Sequence, residues 1–94
     1  MIIIAGHTLT ESGVRDAAVR AFSDLLERAR KHDGCLDFSI SADTVDPERA
    51  NIFELWRDQE SLDAWRKVAR HPGGIKIKKA VVNLYRTERA EKPF

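Results

Sequence analysis

The sequence predicts an α+β domain whose elements run βαββαβ: a four-stranded antiparallel sheet with two helices on one face. Three observations carry this. The chain opens on a β-branched run, Ile2-Ile3-Ile4, and two segments with apolar residues at helical spacing each follow a strand-like one. Between those segments, two stretches of strand character are joined by a short turn containing Asp46-Pro47, which makes them an antiparallel hairpin.

Each element has its own signature. The first strand, Ile2 to Thr8, is apolar on both faces, as in a strand covered on both sides. Thr10 to Gly13 break the pattern, with Ser12 the expected N-cap and Asp16 an acid in the first turn of a helix. Val14, Ala18, Ala21, Phe22, Leu25 and Ala29 recur at spacings of three and four along that helix, and Gly34 follows where a left-handed residue ends it. Leu36, Phe38 and Ile40 alternate with Asp37, Ser39 and Ser41, which predicts a half-buried second strand. A third strand spans 51–56. Asp58 is the expected N-cap of a second helix with the stripe Leu62, Trp65, Val68 and Ala69, ended by His71-Pro72-Gly73-Gly74. Ile75 to Tyr85 reads as the last strand, and residues 87–94 as a polar tail on a single domain spanning 1–94. This order is the split-βαβ or ferredoxin-like arrangement.

Composition narrows the function classes. A chain of 94 residues buries only roughly 60–65% of its unfolded surface, and with a single cysteine it has no disulfide to compensate. Strands one and three are apolar on both faces while helices cover one, so the other face is expected to meet a second subunit, giving a homodimer. Sixteen Lys and Arg balance fifteen Asp and Glu, which argues against a polyanion binder. The same element order serves RNA-recognition modules, but aromatics with glycine on the third strand are missing, so no nucleic-acid partner is expected. The longest apolar run, residues 1–6, is too short for a membrane span and has no preceding basic residues. The expectation is a cytoplasmic protein without a membrane partner, and the lone Cys35 agrees.

Several residues together resemble the antibiotic biosynthesis monooxygenase family of dimeric α+β barrels. They are Gly13 after the first strand, the segment Asp33-Gly34-Cys35-Leu36-Asp37-Phe38, and Glu54-Leu55-Trp56 followed by Asp58, Glu60, Ser61 and Leu62. The resemblance spans residues 2–86 and implies the fold and a dimer. It also implies an activity: oxidation of an anthrone-, quinol- or polyketide-like aromatic with O2, without metal or flavin. An electron-rich phenolate or enolate itself donates an electron to oxygen, so the protein need only deprotonate, orient and desolvate it.

On this reading Trp56 and Trp65 shape the pocket, since either can stack on an aromatic substrate or serve as plain core. His7 shares parity with Ile3 and Ala5 and is the candidate base, because imidazole is the side chain that changes charge near neutral pH. His71, at the helix-ending break, reaches the pocket mouth or stabilises the helix terminus. Asn51, Asn83, Tyr85 and Arg86 are the remaining polar candidates for holding a phenolate. Cys35 is expected to be a packing residue, and the three histidines lack metal-ligand spacing, so neither metal nor cofactor is expected.

Two alternatives stay open. Small haem-degrading relatives have a polar residue where His7 stands and a tryptophan matching Trp65, but their axial histidine lies differently from His71. The basic stretch from Arg66 to Lys79 also suits a dimeric, non-catalytic binder of a planar acidic ligand.

Overall fold

The computed structural model describes residues 1–94. Its elements are β1 (Ile2–Leu9), α1 (Arg15–Ala21), α2 (Ser23–Arg30), β2 (Cys35–Ala42), β3 (Arg49–Trp56), α3 (Gln59–Val68) and β4 (Lys79–Arg86). The sheet order is β2-β3-β1-β4, and every neighbouring pair is antiparallel. This is the ferredoxin-like topology that the sequence predicts.

The strand register decides which side chains meet the helices. Ile2 pairs with Trp56 and Ile4 with Glu54, and this parity faces the core, where Ile2, Ile4 and Trp56 join Phe38, Leu25, Ala29, Leu62 and Trp65. Ile3, Ala5 and His7 have the opposite parity, as do Asn51, Phe53 and Leu55, and they point away from the helices. Gly6 lies where β4 passes closest: a Cβ there would overlap the Val81 carbonyl oxygen and crowd the Val82 Cα at 2.7 Å.

Four expectations are corrected. The single first helix is two, α1 and α2, with Phe22 between them donating its N–H to Val19 O three residues back (3.2 Å). No proline forces this. The turn tightens where Phe22 packs against the core. Ser12 does not cap: Gly13 adopts φ +82° and Val14 becomes the first flanking residue, without a side-chain cap bond. Leu36 is not on the buried face of β2 but 53% exposed, because Cys35 pairs with Trp56 and Asp37 with Leu55, leaving Leu36 as the extra residue of a bulge. Finally, β4 begins at Lys79 rather than Ile75. Gly74 turns the chain with φ +77°, and Ile75 and Ile77 line a cavity below the helices.

The segments that carry the family resemblance are joined here. Gly34 is buried at φ +83°, and a Cβ on it would collide with Ser61 in the first turn of α3. Arg57 reaches across from the end of β3, donating to both carboxylate oxygens of Asp33 (3.2 and 3.1 Å) and to Ser61 Oγ (3.0 Å). Asp58 Oδ1 accepts the Ser61 N–H at 2.8 Å, the N-cap that the sequence predicts.

Candidate active site

Between the sheet and α1–α2 lies a cavity of about 220 Å³. Its floor comes from β2 and β3 through Phe38, Ile40, Ile52 and Glu54, and its roof from Phe22 and Leu25. The segment between α3 and β4 closes one side with Ile75 and Ile77 and places His71, an exposed residue, at the mouth. Apart from Thr8, Thr10, Glu54 and His71 the lining is apolar. The single hydroxyl proton of Thr10 is taken up by a backbone carbonyl, that of Glu11 (3.2 Å) or of Glu48 (3.5 Å).

Glu54 is therefore the carboxylate of the cavity. Residues two apart on a strand share a face, so Glu54 stands beside Trp56, whose Nε1–H donates to Glu54 Oε1 at 2.9 Å. The other carboxylate oxygen has no protein partner and is not sealed off, and Glu54 is among the residues that line the cavity. Burial pushes the Glu54 carboxyl above its ordinary pKa, opposed by the Trp56 hydrogen bond and by the positive charges of Arg66 and a protonated His71. A carboxylate held in one orientation, made more basic by its surroundings and lining an apolar cavity, is equipped to take a proton from a bound phenol or enol.

The sequence-predicted residues are not brought together as expected. His7 pairs with Asn51 and Val81 on the face away from the helices, so the sheet stands between it and the cavity and it cannot act as base there. Asn51 shares that face. It is held in the hairpin, donating to Asp43 Oδ1 (2.9 Å) and accepting from Arg49 Nε (2.7 Å). Tyr85 lies opposite Ile3 on the same outer face, and Asn83 opposite Ala5. Arg86 is exposed and donates to Gln59 Oε1 at 2.7 Å. Trp56 is fully buried and stacks on Trp65 with ring centres 6.3 Å apart and planes at 24°, while His32 meets Trp65 edge-on at 5.6 Å. Both tryptophans are core residues. Trp56 acts on the cavity through Glu54, and Trp65 borders a separate outer groove. Of the predicted set only His71 lines the cavity. Cys35 is half-buried, and burial pushes its thiol pKa up, with the Glu54 and Asp37 charges adding to this, which fits a packing role.

Glu54 has no role in the sequence reading beyond belonging to the Glu54-Leu55-Trp56 segment. The signal was its parity: a lone carboxylate in step with Ile52 and Trp56 on a strand.

A family model for antibiotic biosynthesis monooxygenases matches residues 1–72. The chain belongs to that family. Solved structures with the same fold include a candidate antibiotic biosynthesis monooxygenase from Deinococcus radiodurans, 17% identical, with a TM-score of 0.73 over 100% of this chain and 99% of that one. A conserved protein from Methanosarcina mazei is 19% identical, with a TM-score of 0.72 over 93% and 92% of the two chains. The haem degrader MhuD of Mycobacterium tuberculosis, solved with two haems in its active site, is 12% identical, with a TM-score of 0.69 over 98% and 100%. At these identities the likenesses concern the fold. No curated protein matches the sequence. No helix in this family member is long and apolar enough to cross a membrane.

Proposed function

We propose that this family member is a cofactor-independent monooxygenase that oxidises a small electron-rich phenol or quinol with O2 in the cavity beneath α1 and α2. The observation that carries the reading is Glu54, a carboxylate with raised pKa held by Trp56 in an otherwise apolar cavity. Glu54 accepts the phenolic proton, and the phenolate transfers one electron to O2. The resulting radical and superoxide combine at a ring carbon, and the peroxide loses water to leave a quinone. For a naphthol the sum is naphthol plus O2 giving naphthoquinone plus water, so no external reductant is needed. The proton on Glu54 returns with the departing water, and His71 at the mouth lies where protons exchange with solvent. The apolar walls favour this chemistry by excluding water, whose hydrogen bonds would stabilise the phenolate and make it a poorer electron donor to O2. The volume of about 220 Å³ is below the roughly 300–1,000 Å³ of drug-sized sites, so one or two rings fit rather than the larger polycycles.

The reading is tested by oxygen uptake with one- and two-ring phenols and quinols on metal-free protein. A rate above buffer that Glu54→Gln removes is expected. No rate with any of them, alongside saturable quenching of tryptophan fluorescence, would leave a binder rather than an enzyme.

The likeness to MhuD raises haem as a second substrate, and the residues do not fit it. His71 lies beyond the end of α3 next to Pro72, His7 is on the far side of the sheet, and the cavity is far smaller than a haem.

The proposal includes a cytoplasmic homodimer formed through the outer sheet face. Ile3, Ala5 and Leu9 of β1 there adjoin Phe53, Leu55, Val81 and Tyr85, and the last four include three exposed large side chains.

A further inference from the structure

A groove of about 580 Å³ runs along the outside of the helical layer between α2 and the end of α3. It shares two lining residues with the inner cavity, Leu25 and His71. The buried Leu25 and the exposed His71 therefore border both spaces and form part of the partition between them.

Their chemistry differs. The inner cavity is apolar with one carboxylate, whereas the groove holds Asp24, Arg28, Arg70 and His71 beside Trp65. Asp24 and Arg28 neutralise each other through a 2.9 Å ion pair, and Arg28 also donates to the Arg70 carbonyl at 3.1 Å. The Arg70 guanidinium makes no hydrogen bond or ion pair, so the groove carries one uncompensated cation beyond the partition.

Resting on the proposed oxidation in the inner cavity, we infer that the substrate is a two-part molecule: a phenolic ring of one or two cycles bearing a short acidic arm. The ring sits against Glu54, and the arm passes Leu25 and His71 to place its carboxylate on Arg70. Such a molecule separates the two negative groups. A carboxylate inside the cavity would face Glu54 across a low-dielectric space, while in the groove it meets a free guanidinium able to donate two parallel hydrogen bonds. The arrangement fixes the direction of binding as well, since the ring enters the cavity as a neutral phenol, before Glu54 takes its proton, and the arm alone arrives charged.

Three probes test this: a naphthol, a hydroxynaphthyl propanoate, and the methyl ester of that propanoate, each titrated by tryptophan fluorescence, for which Trp65 at the groove wall is the reporter. The acid is expected to bind about five- to ten-fold tighter than its ester, the size of one exposed charge-assisted contact. That ratio falls to about one in Arg70→Gln and shrinks as salt rises past physiological strength. It stays intact in Lys67→Gln, which removes an exposed cation from nearby α3. Equal binding of acid and ester, or an equal loss in Lys67→Gln and Arg70→Gln, overturns the inference by showing no site or only a diffuse field. Either result leaves the oxidation reading standing if the naphthol still consumes oxygen in a Glu54-dependent way. Failure of all three probes to bind overturns both.

Discussion

At the scale of single residues, the central prediction concerns Glu54. Its pKa is raised in the folded protein, so the native state holds this proton more tightly than the unfolded chain does. Below the ordinary glutamate value of about 4.3 both states are protonated and burial costs nothing. As pH rises through the folded pKa the unfolded chain has already lost its proton, and stability falls. Glu54→Gln removes that slope while keeping an oxygen that can accept the Trp56 N–H. The variant is expected to lose oxygen uptake yet match the parent in stability at pH 4 and equal or exceed it at pH 7, by denaturant unfolding at the two pH values. Loss of stability at both would make Glu54 a structural residue. The sequence held half of this site. The pairing of Glu54 with Trp56 follows from strand parity, which could be read without coordinates. The misplacement of His7 could not be avoided that way, because β1 is apolar on both faces and nothing in the strand itself says which face the helices cover. Trp65 was ambiguous for a related reason: its place on the apolar stripe of α3 does not tell a core residue from a pocket wall.

At the scale of elements, the strands and the α3 cap were legible because period-two alternation and an Asp N-cap are local signals. The division of the first helix, the bulge at Leu36 and the late start of β4 were not, because each depends on what packs against the segment. One tertiary tie illustrates the difference. Arg15, in the first turn of α1, has a side chain only 12% exposed, and its Nη1 donates to the carbonyls of Asp43 (3.2 Å), Asp46 (3.0 Å) and Arg49 (3.0 Å). It thereby binds the β2–β3 turn to the helix that roofs the cavity. Arg15→Ala should cost about 2 kcal/mol, the scale of charged hydrogen bonds whose acceptors are left short of partners, read from the denaturation midpoint at unchanged slope. A change below about 0.5 kcal/mol, ordinary for a surface site, would show that the turn holds itself together. Asp43 is the turn's own anchor, accepting the N–H groups of Val45 (3.2 Å) and Asp46 (2.8 Å). The Asp46 backbone bond, then the Asn51 side chain, lower its pKa to about 2. A depressed folded pKa means stability that is present above the ordinary aspartate value of about 3.9 and is lost as pH falls toward 2. Asp43→Asn should flatten the acid limb of the stability profile between those values; an unchanged limb would assign acid sensitivity to other carboxylates.

At the scale of the whole molecule, the chain buries only 12 of its 94 residues, and every residue of β4 is exposed. A core this small is marginal for an isolated domain. The outer sheet face is the surface most able to add to it. Phe53 lies at its centre on β3, directly across from Ala5 of β1, with Ser39 of β2 on its other side, while Tyr85 and Val81 of β4 extend the apolar strip past β1. Two such faces packed together would remove apolar surface from water at roughly 25 cal/mol per Å², and stability would then depend on protein concentration because assembly and folding are linked. Sedimentation equilibrium should give a dimer of the 10.7 kDa chain at micromolar concentration, and the thermal midpoint should rise with concentration. Phe53→Lys places two ammonium groups, one from each protomer, in that interface and should weaken association by more than about 100-fold, or about 2.7 kcal/mol, while Glu54 on the opposite face keeps its cavity. A parent that sediments as a monomer at micromolar concentration, or a Phe53→Lys variant with unchanged association, would mean that the outer face of this sheet is not where two copies meet.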